Sequence, residues 1–279
     1  MDAAPDRQPN SPPDSPPHRP LRGTGRVNWI GLWTHYLKEV QRFWKVGFQS
    51  LVAPMVTTLL FLAIFSLALG HAVETVQGVP FAVFLAPGLI IFAVIQNSFA
   101  NVSSSVLIAK IQGSIVDLLM PPLTPAELAV GFVAGGVTRG VLVAILVGVV
   151  MELATPLAIA NIWVVAFYAI SASLLMSLAG LMAAIWADKY DNVASITNFI
   201  ITPLSFLSGT FYSIERLPEF WQTVARINPF FYMIDGFRAG FIGISDAPLL
   251  YGVVYLTALN VVFWFGCHRM FVTGYKLKS

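Results

Sequence analysis

The sequence predicts an all-α membrane protein: six transmembrane helices, an N-terminal interfacial amphipathic helix, a cytoplasmic helix between spans two and three, and a re-entrant helical hairpin before span six. Three observations carry this reading. First, 57% of the residues are hydrophobic and only 11% charged, whereas a soluble domain carries about 25% charged residues. Mean hydropathy is +0.75. Second, the apolar runs are each about 20 residues long, enough to cross a hydrocarbon core of about 30 Å. They lack the period-two alternation of barrel strands, and only helices or closed barrels satisfy the backbone in lipid. Third, lysine and arginine gather on one side of the spans so drawn.

Residues 1–26 are rich in Pro, Ser and Asp, with no apolar core. They read as a disordered cytoplasmic tail rather than a signal peptide. Residues 27–46 follow as an amphipathic helix. Trp29, Trp33, Tyr36, Leu37, Val40, Phe43 and Trp44 make an apolar face, and Thr34, His35, Lys38, Gln41, Arg42 and Lys45 a polar one. Three tryptophans beside a basic face suit a helix lying in the membrane interface. The alternative is a soluble helix packed on a partner.

The transmembrane domain, residues 47–279, begins with spans at about 48–70 and 81–102. The next stretch, Leu107 to Glu127, is too polar and too short to span. Leu107, Ile111, Ile115, Leu118 and Leu119 recur at helical spacing, with Lys110, Gln112, Ser114 and Asp117 between them. Pro121 and Pro122 stop that helix. Thr124, Pro125 and Glu127 then supply a cap, a first-position proline and a capping-box carboxylate for the next helix. The segment reads either as a cytoplasmic handle through which an outside force moves the membrane helices, or as a plain connector. Spans three to six fall at about 128–151, 162–187, 193–211 and 249–271.

Before span six, Ser213–Arg226 is amphipathic, and Asn228-Pro229 restarts a helix running to Phe241. Its polar residues, Asp235 and Arg238, share a face. The pair of short helices is expected to dip into the membrane and return. A flat surface pair anchored by Phe220, Trp221, Phe230, Phe231 and Tyr232 is the alternative. Seven Lys and Arg precede the first span, and Lys110, Lys189, Arg269, Lys276 and Lys278 fall on the same side. The two short opposite loops carry none, so both termini and the 107–127 segment are expected to be cytoplasmic.

A charge within a span signals function by default. Arg139 is one, expected to face a pathway, pair with a carboxylate or contact a phosphate-bearing substrate, or else to snorkel to the interface from a helix that sits lower. Pro203, with Ser205 and Ser208, marks span five as a kinked helix that lines a cavity or packs against neighbours. Ala172, Met176, Gly180 and Ala184 form a small-residue stripe suited to helix packing. No P-loop, H-E-x-x-H or G-x-S-x-G motif is present. The single Cys267 fits no metal spacing, so no catalytic residue, metal or cofactor of its own is expected. The net charge of +2 gives no case for nucleic acid.

The chain resembles the membrane subunit of ABC-2 type transporters, a permease family of bacterial exporters. The likeness rests on Gly113, Leu118-Leu119, Pro121-Pro122-Leu123-Thr124 and Glu127; on Gly131 through Arg139-Gly140; and on Pro203 to Tyr212, Leu217-Pro218 and Asn228-Pro229 through Asp235 to Arg238. Within the family it resembles the subgroup of Yad-H-like, nodulation-factor and daunorubicin-type exporter permeases. The resemblance implies a bacterial inner-membrane permease that pairs with a second permease copy, a homodimer rather than a heterodimer. Separate ABC ATPase subunits would bind the ATP and magnesium. It makes the 107–120 helix a coupling helix, with Leu107, Lys110, Ile111, Gly113, Asp117, Leu118 and Pro121 meeting the ATPase. The helix with Trp29, Trp33, Lys38, Arg42 and Trp44 would touch membrane lipid and the ATPase. Leu217, Pro218, Asn228, Pro229, Asp235 and Arg238 would form the outer gate. The implied substrate is amphipathic, lipid-linked or glycan. From the residues alone, a lipid-processing membrane enzyme using Arg139 or the Asp235/Arg238 pair remains the rival reading. An ion-coupled transporter is a third, disfavoured by the lack of mid-span acids.

Overall fold

The computed structural model describes residues 27–45, 47–70, 73–115 and 123–276. Among these, five helices are long and apolar enough to cross a membrane. One helix, α3, is the axis. It runs Phe81–Ile111, and most of its residues are buried. At 1.5 Å per residue it is about 46 Å long, well beyond a hydrocarbon core. Helices α4 (Pro125–Ala154) and α5 (Ile162–Trp186) pack along it. Helix α2 (Gly47–Leu69) lies outside them and leaves most of its apolar surface exposed.

Small residues set how closely the three central helices approach. A Cβ at Gly180 would meet the Phe99 backbone oxygen at 2.6 Å, and one at Gly140 would strike the Ser98 and Ser173 hydroxyls. The stripe of Ala172, Met176, Gly180 and Ala184 is buried, in keeping with the packing role expected for it.

The ends of the helices follow local rules. The Thr124 hydroxyl accepts from Glu127 N–H, and the Glu127 carboxylate accepts from Thr124 N–H at 2.6 Å. This is the capping box read from the sequence, with Pro125 at the first position. Asn161 caps α5 by accepting from Trp163 and Val164 N–H. The outer loop after α2 becomes a small hairpin, Thr75–Val76 paired with Val79–Pro80. Its turn residues Gln77 and Gly78 both have positive φ, 52° and 80°, the pattern of a tight type I′ turn.

The fifth predicted span is a composite. Helix α6 (Tyr190–Ile196) passes into a π-helical segment (Thr197–Ile201) and then α7 (Thr202–Leu207). Pro203 explains this. Its ring opposes the carbonyl four residues back, and the helix widens so that Thr202 N–H reaches Thr197 O. The helix ends at Leu207, not Phe211, where Gly209 takes φ +82°. Helix α8 (Glu219–Ile227) lies on the surface, and α9 (Pro229–Ile242) is buried almost throughout. Helix α10 (Leu249–Thr273) closes the bundle against α5.

Two readings change. Leu107, Lys110 and Ile111 do not start a separate amphipathic helix, because they are the last turns of α3. The Leu107 side chain is buried in a cluster with Val102 and Leu181, so tertiary packing carries the helix past its apolar stretch. Asp117, Leu118 and Pro121 lie outside the described residues, as do residues 1–26. The flat-surface alternative for the two short helices does not describe α9, since Phe230, Phe231 and Tyr232 are buried rather than anchoring a surface.

Candidate functional site

The site forms where α1 (Trp29–Lys45) meets α3 and α4. Helix α1 runs beside the first half of α4. Two glycines admit it: a Cβ at Gly131 would fall 2.0 Å from the His35 ring, and one at Gly135 would fall 2.7 Å from the Glu39 Cβ. His35, Glu39 and Phe43 are the buried residues of α1. This corrects the predicted faces, since His35 belongs to the polar one. Burial pushes the His35 imidazole below its ordinary value, against an opposing pull from Glu39. Trp29, Trp33 and Trp44 project outward at 60–71% exposure, and Lys38 is exposed. Asn28 N–H donates to Glu127 at 2.7 Å, so one carboxylate caps α4 and holds the start of α1.

From the end of α1, Arg42 reaches into the bundle. Its guanidinium donates to Glu39 at 3.3 Å, to the Asn101 carbonyl at 2.7 Å and to Asn101 Oδ1 at 3.0 Å. Ser105 donates to the other Glu39 oxygen at 2.8 Å. Arg139 meets the same Asn101 Oδ1 at 3.4 Å and Asn97 Oδ1 at 2.9 Å. Two arginines thus share one amide oxygen, and Glu39 is the one carboxylate ion-paired with either among the described residues. Arg139 is therefore not isolated at mid-depth, because it is joined through Asn101 to the end of α1.

Arg139 lines a cavity of about 570 Å³ between α2, α3 and α4. Ser50, Ala53, Pro54, Thr57, Thr58 and Phe61 form one wall, with Phe92, Ala93, Gln96 and Asn97 opposite. Beyond it, Phe61, Phe65, Phe206 and Phe211 make an aromatic cluster that joins α2 to the chain after α7.

The other predicted residues fall into two further groups. Lys110 donates to the carbonyls of Ile185 at 2.8 Å and Ala187 at 2.6 Å, with Ala184 at 3.4 Å and Asp188 nearby. It ties the end of α3 to the end of α5, a bond no spacing rule in the sequence announces. Lys276 reaches the same turn through Asp188 at 2.9 Å and Trp186 O at 3.0 Å. Ile111 is exposed, and Gly113 turns the chain at φ +72° with open space around it.

At the far end, Asp235 and Arg238 do not pair. The Asp235 carboxylate accepts from the N–H groups of Asp246 and Ala247 at 2.8 and 3.1 Å. Arg238 donates to Gly209 O at 2.6 Å and lies 3.8 Å from the Phe84 ring centre. Asp246 also takes hydrogen bonds from Gln77 and Ser213. Asn228 caps α9 and donates to Leu204 O and the Ser208 hydroxyl, which brings Asn228 and Ser208 together. Ser205 and Ser208 are buried and donate to Ile201 O and Leu204 O, so they pack the helix rather than line the cavity. Pro203 and Pro218 are exposed and Leu217 is half-buried. Tyr168, which the sequence did not single out, donates to Leu249 O and seats its ring against Gly236 and Gly252.

Comparison with known proteins places these features in a wider context. The family model described as "ABC-2 type transporter" matches residues 31–242. The chain is 38% identical over 251 residues to the inner membrane transport permease YadH of Escherichia coli (strain K12), covering 90% of this chain and 98% of the relative. It is 28% identical over 237 residues to Nodulation protein J of Rhizobium meliloti (strain 1021), covering 83% and 87%. To Nodulation protein J of Rhizobium leguminosarum bv. viciae it is 27% identical over 237 residues, covering 82% and 89%.

Proposed function

This chain belongs to the ABC-2 type transporter family as a multi-pass inner-membrane transport permease, and on that premise we propose that it forms the substrate path of an ABC exporter powered by a separate cytoplasmic ATPase. It works as a dimer of two permease copies, with six spans per copy. The composite α6–π–α7 segment is the fifth span. Both termini and the 107–127 segment are cytoplasmic, α8 and α9 form the outer re-entrant pair, and the substrate is amphipathic, lipid-linked or glycan.

One observation carries the coupling role. The 107–127 segment is bonded to the bundle at both ends: Lys110 holds the end of α5, and Glu127 holds the starts of α4 and α1. A push on the residues between reaches α1, α3, α4 and α5 together. A plain connector needs no such ties. Gly113, at φ +72° in open space, supplies the bend from which the segment departs.

The test is to purify the chain from its native membrane in mild detergent and identify what accompanies it. A stoichiometric ATPase is expected. Gly113→Pro and Asp117→Arg should insert normally yet separate ATP hydrolysis from transport. A chain that purifies without an ATPase across several detergents, or normal transport by both variants, would overturn the reading.

A further inference from the structure

We propose that the cavity between α2, α3 and α4 binds the phosphate head of an anionic amphiphile, held by Arg139. This deepens the reading of the chain as a permease for an amphipathic substrate and rests on it. The first ground is charge. Arg139 has two hydrogen bonds, both to neutral amide oxygens of Asn97 and Asn101, and no ion pair among the described residues. Its nearest charged neighbour through the network is another cation, Arg42. Glu39 is already engaged by Arg42 and Ser105. A guanidinium offers five N–H donors, so among the described residues three remain, and the Nε–H is buried without a partner there. A cation that lacks a counter-charge and also fronts an open cavity suits an anionic ligand.

The second ground is shape and lining. Arg139 is half-buried and faces the cavity. Thr57, Thr58, Gln96 and Asn97 line the same cavity, with the Thr58 hydroxyl donating to Pro54 O, the Gln96 amide to Thr202 and the Asn97 amide to Ala93 O, which leaves Arg139 as the charged donor there. Pro54, Phe61, Phe92 and Ala93 supply apolar surface within the same 570 Å³. A guanidinium at one point and apolar walls beside it fit a charged head group joined to a hydrocarbon chain. Exposed Ala53 and Thr57 show that the cavity opens along α2, the helix most exposed on its apolar side. The guanidinium fork matches phosphate oxygens in a bidentate way. A phosphate monoester carries more charge at neutral pH than a carboxylate, about −1.5 to −2. It therefore supplies the counter-charge that Arg139 lacks among the described residues.

The experiment follows thermal unfolding of the full chain in a neutral maltoside detergent, titrated with decyl phosphate, decanoate, inorganic phosphate or decanol. Decyl phosphate is expected to raise the Tm saturably. Inorganic phosphate lacks the chain and decanol lacks the charge, so each should give little. Arg139→Gln should weaken decyl phosphate by at least about tenfold, with Arg139→Lys between it and the wild type, since lysine keeps the charge and loses the fork. Ala53→Phe should weaken it as well by filling the open side, with the Arg139 bonds left in place. Undiminished binding in Arg139→Gln or in Ala53→Phe would overturn the site. Equal binding of decanoate, or inorganic phosphate acting as well as decyl phosphate, would overturn the ligand class. Loss of binding while an ATPase still co-purifies removes only this proposal. Binding retained without an ATPase removes only the exporter reading.

Discussion

Two arginines inside the same bundle meet opposite treatment. Arg238 is wrapped: its Nη2 donates to the carbonyls of Gly209 and Thr210, Phe84 covers its face, and it is 2% exposed. Arg139 has a cavity in front of it and neutral amides beside it. The first arrangement ends a helix, because α7 stops at Leu207 and its next carbonyls need donors once the chain turns at Gly209. The second leaves the guanidinium fronting open space. Both are cations in an apolar chain with two hydrogen bonds each and a buried Nε–H left without a partner among the described residues, so neither residue type nor bond count separates a staple from a binding group. What the guanidinium faces does: Phe84 closes over Arg238, and a cavity lies in front of Arg139.

The contrast is broken most directly at Arg238. Arg238→Leu strands two buried carbonyls and is expected to destabilise by about 2–4 kcal/mol, seen as a lower Tm or a loss of folded protein. Arg139→Gln should change stability by no more than about 1 kcal/mol, since an amide can replace part of its bonding. Equal losses from both would end the distinction.

Next in size is the seat of α1. Gly131→Ala drives a methyl into the His35 ring, and an overpacked contact of this kind costs about 1–3 kcal/mol. Undocking of α1 would show as protease cleavage near residue 45, with Arg42 and Asn101 separated. An unchanged cleavage pattern would mean that α1 is held elsewhere. Glu127→Ala should cost about 1 kcal/mol through the lost cap and free the Asn28 tie at the other end of the same contact. Both effects are readable as a lower Tm. Glu127→Gln, which keeps a capping-box acceptor, should recover most of it.

The smallest effect belongs to Asp188. Lys276 donates to its carboxylate and holds it below the ordinary value, while the same bond holds Lys276 above its own. For a carboxyl lowered on folding, the stabilisation is present at neutral pH and lost as pH falls through the lowered value. The stability difference between wild type and Asp188→Asn should shrink in acid and in high salt, because the pair lies at the solvent-exposed surface. A difference that persists in both would assign Asp188 a buried role.

Much of this protein was written in local pattern. The five long apolar helices lie where their runs predict. The Thr124–Glu127 box, the Asn228-Pro229 restart and the distortion ahead of Pro203 all follow from neighbours within a few residues, where the chain itself supplies the partner. The sequence also flagged Arg139, Asp235 and Arg238 as costly, because a charge in an apolar run is visible without a structure. Only tertiary packing decided their partners. Asp235 and Arg238 share a helical face and still bond to separate loops, since buried backbone groups more than ten residues away competed for them. Likewise α3 continues through Lys110 because the end of α5 lies within reach of its ammonium. His35 and Glu39 are buried because Gly131 and Gly135 leave room for α1. Hydrophobic period determines which residues leave water. The choice among distant hydrogen-bond partners depends on which helices are brought within about 3 Å of one another, and that is settled only when the bundle closes.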